Sequence, residues 1–219
     1  MSSKKKIITG GLYLVLNPDM DREILLSKLG QSLKGGVDVI QIWNNWPELF
    51  TLENKIELIH DVLRTAEDFQ VPVLINEEWE LLKETALDGV HFDTLRADLH
   101  VVRSEIKRDF IFGITCSNDL SVIHSGEKEG ADYISFCSMF PSRSVSSCDI
   151  VMPENVRKAG EMTDLPIFVS GGITAENLKK LSDLPIDGVA VISGILNSET
   201  PEKSAQDYKQ ILNQHKRKP

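Results

Sequence analysis

The chain has 219 residues, of which 41% are hydrophobic and 26% charged, as in an ordinary soluble globular protein of one large or two small domains. Its formal net charge of −9 argues against nucleic-acid binding, because neutralising phosphates requires a basic face. No apolar run approaches the roughly 20 residues of a membrane span, and the N-terminus lacks the apolar core of a secretory signal, so we expect a cytoplasmic protein.

Cysteine and histidine spacing gives no sign of a metal centre or a disulfide framework. The three cysteines, Cys116, Cys137 and Cys148, cannot all pair, and none belongs to a C-x-x-C motif. The histidines are not spaced as metal ligands. We therefore expect buried, reduced thiols, which are usual in a cytoplasmic protein.

Short apolar runs rich in β-branched residues recur along the whole chain, and an amphipathic stretch follows each one. Continuous apolar runs are typical of parallel strands that are buried on both faces, and parallel strands need helical crossovers. The eight predicted strands cover residues 12–16, 37–42, 71–75, 89–92, 110–114, 133–137, 166–169 and 188–192.

Several of the intervening segments carry helix signals. Residues 21–34 and 51–69 place their apolar side chains near one stripe, which predicts a helix over each. Pro153 suits the first turn of a later helix, and Thr174 suits an N-cap because Glu176 follows close behind it.

Eight strand–helix units in this length predict a single (β/α)8 TIM-barrel domain over residues 1–219, with 1–10 and 214–219 as flexible tails. A doubly wound open sheet is the alternative, but it usually has fewer strands and often a glycine-rich first turn, which this chain lacks. In a barrel, the active residues lie just after the carboxyl ends of the strands.

Two glycine-containing segments follow the last two predicted strands. One contains Gly171 and Gly172, and the other contains Ser193 and Gly194. Either could be no more than a tight turn. Together, in register with eight strands, they predict a phosphate site, because the loops after strands 7 and 8 of such barrels frequently hold phosphate with backbone N–H groups. The segment 138–148, rich in hydroxyl groups, predicts a lid or a polar clamp on a ligand.

The chain also resembles a known family over about residues 11–195. The motifs GLYLVLNP, GGVDVIQI, VLINEEWEL, DGVHFD, GADYISFCSMFPS, VSGGITAEN and GVAVISGI stand in the order seen in thiamin phosphate synthases and the related thiazole tautomerases. The resemblance implies a barrel that binds the phosphorylated thiazole precursor of thiamin. In the synthases this precursor is joined to a pyrimidine methyl diphosphate with the help of Mg²⁺, and no organic cofactor is implied.

Carried over residue by residue, the resemblance implies two groups of ligand-binding residues. Those for thiazole phosphate are Ser142, Ser144, Gly171, Gly172, Ile192 and Ser193. Those on the pyrimidine side are Gln41 and Asn76, to which we add Trp43, Asn45 and Thr115 by position.

The diphosphate half of the family pattern is largely missing. Trp43 and Asn45 stand where the family has arginine and lysine, and Val145 replaces another lysine. Of the two magnesium aspartates, one becomes Glu77 and the other falls on Arg96, which cannot ligate a metal. Two substitutes suggest themselves: Asp93 as a metal ligand beside Glu77, and Arg96 with Arg143 as compensating cations.

Three functions therefore stay open. The first is a synthase-like transferase with an altered diphosphate and Mg²⁺ site; the second is a non-catalytic or regulatory protein that binds a small phosphorylated ligand. The third is a tautomerase-like isomerase, although the family's histidine would fall at about Ser117 and His91 is better explained as structural. Trp43 and Trp46 could stack on a planar ring or simply pack at the rim. The sequence leaves a homo-oligomer open.

Overall fold

Eight parallel strands close into one barrel, each pairing with the next in chain order until the last pairs with the first. This computed structural model describes residues 5–141 and 149–214. The predicted (β/α)8 barrel is confirmed. The strands are β1 (Gly11–Leu16), β2 (Val39–Ile42), β3 (Val73–Asn76), β4 (Gly89–Phe92), β5 (Ile111–Thr115), β6 (Tyr133–Cys137), β7 (Ile167–Ser170) and β8 (Gly188–Val191).

Helices connect the strands, and two of them follow β8. The helices are α1 (Arg22–Lys34), α2 (Leu52–Ala66), α3 (Leu81–Glu84), α4 (Leu99–Ile106), α5 (Ser121–Lys128), α6 (Pro153–Met162), α7 (Ala175–Leu178), α8 (Ser193–Leu196) and α9 (Pro201–Leu212), with 3₁₀ turns at Glu67–Phe69 and Lys179–Leu181. Across 5–141 and 149–214, no helix combines the length and apolarity required to cross a membrane.

The local signals read from the sequence explain several helix boundaries. Pro153 begins α6, as predicted, because its missing N–H costs nothing in a first turn. Thr174 caps α7 as predicted, but its partner is Asn177. The Thr174 hydroxyl oxygen accepts the Asn177 N–H, and the Asn177 side-chain oxygen accepts the Thr174 N–H. The helix predicted over 51–69 ends earlier, at Ala66, and continues as a 3₁₀ turn up to the left-handed Gln70.

Side chains alternate along the strands between the barrel interior and the surrounding helices. On β1, for example, Leu12, Leu14 and Leu16 pack outward in the helix–barrel layer, while Tyr13 and Val15 face inward. The interior cluster consists of Ile8, Tyr13, Val15, Val39, Leu74, Ile111, Tyr133 and Phe168.

Two glycines make room for the large aromatic rings inside the barrel. A Cβ on Gly113 would lie 2.0 Å from Cζ of Tyr133, and one on Gly188 would lie 2.3 Å from Cε1 of Phe168. The two rings meet edge to face with their centroids 5.3 Å apart. Each large ring on one strand therefore occupies the space that a side chain at the glycine of the neighbouring strand would need.

An aspartate immediately before each even-numbered strand forms two hydrogen bonds with one residue of the preceding odd-numbered strand. Its carboxylate accepts that residue's N–H, and its own N–H donates to the same residue's carbonyl oxygen. The pairs are Asp38–Leu12, Asp88–Val73, Asp132–Phe112 and Asp187–Ile167, with N···Oδ2 distances of 2.6, 2.8, 2.7 and 2.8 Å and N···O distances of 2.8, 2.8, 2.7 and 2.8 Å. We call these four pairs the aspartate clamps.

Lysines form ion pairs with the clamp residues Asp38, Asp88 and Asp132. Lys209 lies 2.6 Å from Asp38, and Lys6 and Lys5 lie 3.1 and 2.6 Å from Asp88 and Asp132. The two N-terminal lysines belong to the segment 1–10, which is predicted from the sequence to be a flexible tail. Of that segment, residues 5–10 lie against the amino-terminal end of the barrel, where Ile8 is 5% exposed.

We predict that Asp88→Ala lowers the free energy of unfolding by about 2 kcal/mol, because the buried Val73 N–H loses its charged acceptor. Urea unfolding checks this. Asp109→Ala, which removes an exposed carboxylate of the same kind, is the control and should change little. Equal effects of the two substitutions would show that the clamp does not stabilise the barrel.

Candidate functional site

A cavity of about 680 Å³ opens among the carboxyl ends of the strands. Its lining divides into a wall, formed by the loops after β7 and β8, and a floor of inward-facing side chains. The wall residues include Gly171, Gly172, Ile173, Ile192, Ser193 and Gly194, and the floor and rim include Tyr13, Gln41, Trp43, Asn76, His91, Asp93, Thr115, Tyr133, Ser135 and Phe168.

The loop after β7 can be built only with glycine at two positions. Gly171 and Gly172 have φ angles of 86° and 62°, a region that disfavours residues with a Cβ. A Cβ on Gly171 would lie 1.9 Å from Oγ of Ser138, and one on Gly172 would lie 2.5 Å from the carbonyl oxygen of Pro141. The loop is therefore packed tightly against the chain that follows β6.

Five backbone amides on this wall lack a protein acceptor among the residues that the structure describes. They belong to Gly171, Gly172, Ile173, Ser193 and Gly194, and all five residues line the cavity. Backbone N–H groups require a hydrogen-bond partner, so these amides must bond to water or to a ligand. Successive free amides form a concave surface suited to an anion.

The floor contains a continuous chain of hydrogen bonds. Thr115 Oγ1 lies 2.9 Å from Nε2 of His91, whose Nδ1 lies 2.9 Å from the Tyr133 hydroxyl. That hydroxyl lies 2.9 Å from the hydroxyl of Tyr13, which donates to Oε1 of Gln41 at 2.6 Å. Because each hydroxyl has one proton, Tyr133 must donate to Tyr13, and His91 must carry its proton on Nδ1.

The side chains joined by these hydrogen bonds are uncharged at neutral pH. Burial lowers the pKa of His91 to about 4, although Asp93 offsets part of that shift. Burial also raises the pKa values of Tyr13 and Tyr133 well above their usual range. The floor therefore offers hydrogen bonds and shape to an occupant of the cavity, but no ready acid or base.

Two buried polar atoms on the floor have no partner within residues 5–141 and 149–214. Gln41 is 7% exposed and uses only its Oε1, which leaves Nε2 unbonded. Ser135 is 6% exposed, and its hydroxyl has no bond with any described residue. Since buried polar groups are nearly always satisfied, both atoms are positioned to bond with a cavity occupant.

The three residues considered for metal and diphosphate binding bond mainly with one another and with their neighbours. Glu77 Oε1 accepts the Asp93 N–H at 2.5 Å, and Asp93 Oδ1 accepts from Asn76. Arg96 binds Asp98 through two bonds of 2.9 and 2.8 Å, and its Nη1 is 4.0 Å from Glu77.

This arrangement does not fit Mg²⁺. A guanidinium already lies beside the Glu77 carboxylate, and burial raises the pKa of Glu77 with only partial offset from its hydrogen bond and from Arg96. Among the residues described, no cluster of three or more histidine, cysteine or acidic side chains could hold a metal ion. Neither Glu77 nor Arg96 is among the residues that line the cavity.

The remaining predicted residues fall into three groups. Trp43 and Thr115 line the cavity, as do Gln41 and Asn76. Asn45 does not, and instead donates to Asn17 at 2.9 Å. Trp46 also lies outside the lining, where it donates to Glu78 and stacks on Phe50. Ser142, Arg143 and Ser144 lie outside the described residues.

Sequence reasoning missed several of the floor residues. The sequence predicts Tyr13, Tyr133, Ser135 and Phe168 only as parts of strands, yet all four line the cavity. The two-residue alternation of a strand could have found them, because Tyr133, Ser135 and Cys137 share one face of β6. Assigning that face to the interior requires the register of the closed barrel.

We predict that His91 makes stability depend on pH. The unfolded state takes up a proton near pH 6.5 and the folded state only near pH 4, so stability falls as pH decreases through that window. Between pH 7 and 5 the loss is about 2 kcal/mol. In His91→Gln the difference in unfolding free energy between these two pH values should shrink by that amount in urea titrations.

The matched control is His60→Gln on the exposed face of α2, which should keep the wild-type pH dependence. An unchanged pH dependence in His91→Gln would contradict the assignment of a buried neutral imidazole.

Comparison with known proteins places the chain in a family. A family model described as thiamine monophosphate synthase matches residues 12–195. The thiamine-phosphate synthase of Methanobrevibacter smithii is 30% identical over 196 residues, which cover 90% of this chain and 92% of that protein. That of Alkaliphilus oremlandii is 30% identical over 204 residues, covering 91% and 94%.

Among solved structures, the thiamine phosphate pyrophosphorylase from Pyrococcus furiosus superposes with a TM-score of 0.79. The match covers 94% of this chain and 96% of that one, and at 21% identity it shows a common fold. The resemblance seen in the sequence motifs is confirmed by the family match and the curated relatives. This chain belongs to the thiamine monophosphate synthase family.

Proposed function

We propose that this protein binds a thiazole phosphate, with the phosphate held on the wall formed by the loops after β7 and β8. Membership of the family supports a role in thiamin biosynthesis. The observation that carries the binding proposal is the group of five amides without a protein acceptor in the described chain, gathered on one side of the cavity. A phosphate monoester offers enough acceptor oxygens to satisfy several of them at once.

The same proposal places the ring of the ligand toward the floor. There the Ser135 hydroxyl, which has no bond with any described residue, can donate to the ligand or accept from it. Trp43 contributes an aromatic surface at the rim, where stacking on a planar ring would add contact area. Ser142 and Ser144 are assigned to the phosphate by the family resemblance alone.

For the step that follows binding, we propose coupling to a pyrimidine methyl diphosphate, the transferase activity that the curated relatives' names imply. Pyrophosphate must leave the pyrimidine before the thiazole nitrogen can attack, and its departure needs positive charge nearby. We assign that role to Arg143 and assign the pyrimidine to Gln41 and Asn76. The proposed step does not use Mg²⁺, because Glu77, Asp93 and Arg96 do not fit it.

A binding protein without turnover is the second candidate. Its specific support is the charge of the cavity: among its described lining residues there is no lysine or arginine, and Asp93 is the one acidic residue. Arg96 is held by both oxygens of Asp98 instead of reaching the cavity. A charge-assisted bond to phosphate contributes about 1.5–3 kcal/mol, so each missing cation slows pyrophosphate departure by one to two orders of magnitude.

An isomerase is the least supported of the three functions. His91 is neutral with both ring nitrogens bonded, and burial raises the pKa of Cys116 to about 12, so neither is a ready base. Ser117, at the place of the family's histidine, donates to the Cys137 carbonyl oxygen.

A coupling assay with both precursors separates the first two candidates. Product formed in the presence of the two precursors supports the transferase. Binding of thiazole phosphate with no product, even at high enzyme concentration, supports the binding protein.

We predict that thiazole phosphate binds with one-to-one stoichiometry and that Ser193→Ala weakens binding about tenfold, because a hydroxyl bond to a charged oxygen is lost. Isothermal titration calorimetry measures both. Ser27→Ala on α1 removes another exposed hydroxyl, away from the cavity, and should leave Kd unchanged. If wild-type protein fails to bind thiazole phosphate, the proposed function is wrong.

We also predict that chelating divalent cations with EDTA leaves the Kd for thiazole phosphate unchanged, because amides and hydroxyls hold the phosphate. Electron paramagnetic resonance with Mn²⁺ as the probe should detect no ion bound beside Glu77 and Asp93. Binding of Mn²⁺ that disappears in Glu77→Gln would contradict the structural reason given for excluding the metal.

A further inference from the structure

Tyr208 lies outside the cavity, on α9, yet its side chain reaches behind both loops of the wall. It is 2% exposed, and its hydroxyl donates to the carbonyl oxygen of Ile173 at 3.0 Å. Burial raises the pKa of Tyr208 to about 12, and a hydrogen bond from the Ala175 backbone offsets part of that shift. The hydroxyl is therefore a neutral group bonded at the point where the β7 loop enters α7.

The same hydroxyl also limits the loop after β8. A Cβ placed on Gly194 would lie 2.3 Å from the Tyr208 oxygen, a distance that no pair of unbonded atoms of this kind can adopt. The next nearest atoms would be Cγ1 of Val191 at 3.0 Å and Cζ of Tyr208 at 3.2 Å. One oxygen atom thus bonds the first loop and packs directly beneath the backbone of the second.

We propose that Tyr208 is a positioning residue for the anion-binding wall: its hydroxyl sets the distance and orientation between the amides of Gly171–Ile173 and those of Ser193 and Gly194. The inference rests on the proposed binding of phosphate to that wall. Because the two loops belong to different βα units, nothing in either loop alone fixes their relative placement. The C-terminal helix then determines ligand affinity without touching the ligand.

This role differs from simple core packing in what it requires of the hydroxyl. The ring of Tyr208 contributes apolar burial to the helix–barrel layer, and a phenylalanine would keep that burial. Only the oxygen bonds Ile173, and the oxygen is the atom that lies nearest to a Cβ at position 194. Substitutions that remove or oppose this single atom therefore test the proposal.

The experiment is a double-mutant cycle with Tyr208→Phe and Gly194→Ala, measured as Kd for thiazole phosphate by calorimetry. Tyr208→Phe should weaken binding about fivefold, as expected for one lost hydrogen bond that holds the loop. Gly194→Ala should weaken it about tenfold or more, because the new methyl group displaces the turn from the tyrosine oxygen. In the Tyr208→Phe background, Gly194→Ala should cost only roughly a further twofold, because the atom nearest to the new methyl group is gone.

Leu212→Ala is the control for a purely structural effect. It removes a buried side chain from the same helix without removing any contact of the hydroxyl, and it should lower the thermal midpoint while leaving Kd unchanged. Additive effects of the two substitutions in the cycle, or weaker binding in Leu212→Ala equal to that in Tyr208→Phe, would overturn the proposal.

A second readout keeps the test independent of the ligand. In ¹H–¹⁵N correlation spectra of the ligand-free protein, Tyr208→Phe should shift the amide signals of Gly171, Gly172 and Ser193, while Leu212→Ala should not. If the wild-type protein binds no thiazole phosphate but these shifts occur, the proposed function fails and the positioning role stands. If the amide signals do not move, the positioning role fails whatever the ligand does.

Discussion

The structure depends on the aspartate clamps at the amino-terminal end of the barrel. Each one bonds two backbone groups of a single residue, so a strand cannot slide along its neighbour without breaking both bonds at once. Register decides which face of a strand points inward, because side chains alternate with every residue. The clamps therefore fix the register in which Tyr13, Gln41, His91 and Tyr133 face the interior, although the clamps themselves lie at the end of the barrel opposite the cavity.

The chemistry of the cavity follows from how its interior is filled. Aromatic rings occupy the centre of the barrel. On the cavity floor, the hydroxyl groups of Tyr13 and Tyr133 form hydrogen bonds with each other and with their neighbours. A hydrogen-bonded chain of neutral groups in a buried site resists ionisation, since a charge there would lose its hydration. The wall of free amides is the contrasting surface and favours negative charge. Such a division suits recognition of a ligand with an anionic end and an uncharged ring.

The barrel and the glycine wall could be read from the sequence because each has a strong local signature. Buried parallel strands are continuous apolar runs, and Gly171 and Gly172 mark backbone conformations that other residues avoid. The clamps were not predicted, because the partners of each clamp lie 15 to 26 residues apart in the chain. Arg96 was expected to compensate for missing cations, but Asp98, two residues later, holds it. Choices between competing partners depend on side-chain geometry, which periodicity does not encode.

The four clamps also divide the barrel into quarters. Each joins an odd strand to the even strand that follows it, so every clamp lies within one strand–helix–strand segment. A chain break between β2 and β3, or between β4 and β5, would leave every clamp within one continuous segment. A break within a quarter would leave its two strands connected by hydrogen bonds but not by the chain. New termini or grafted segments therefore belong between the quarters, where they leave every clamp intact.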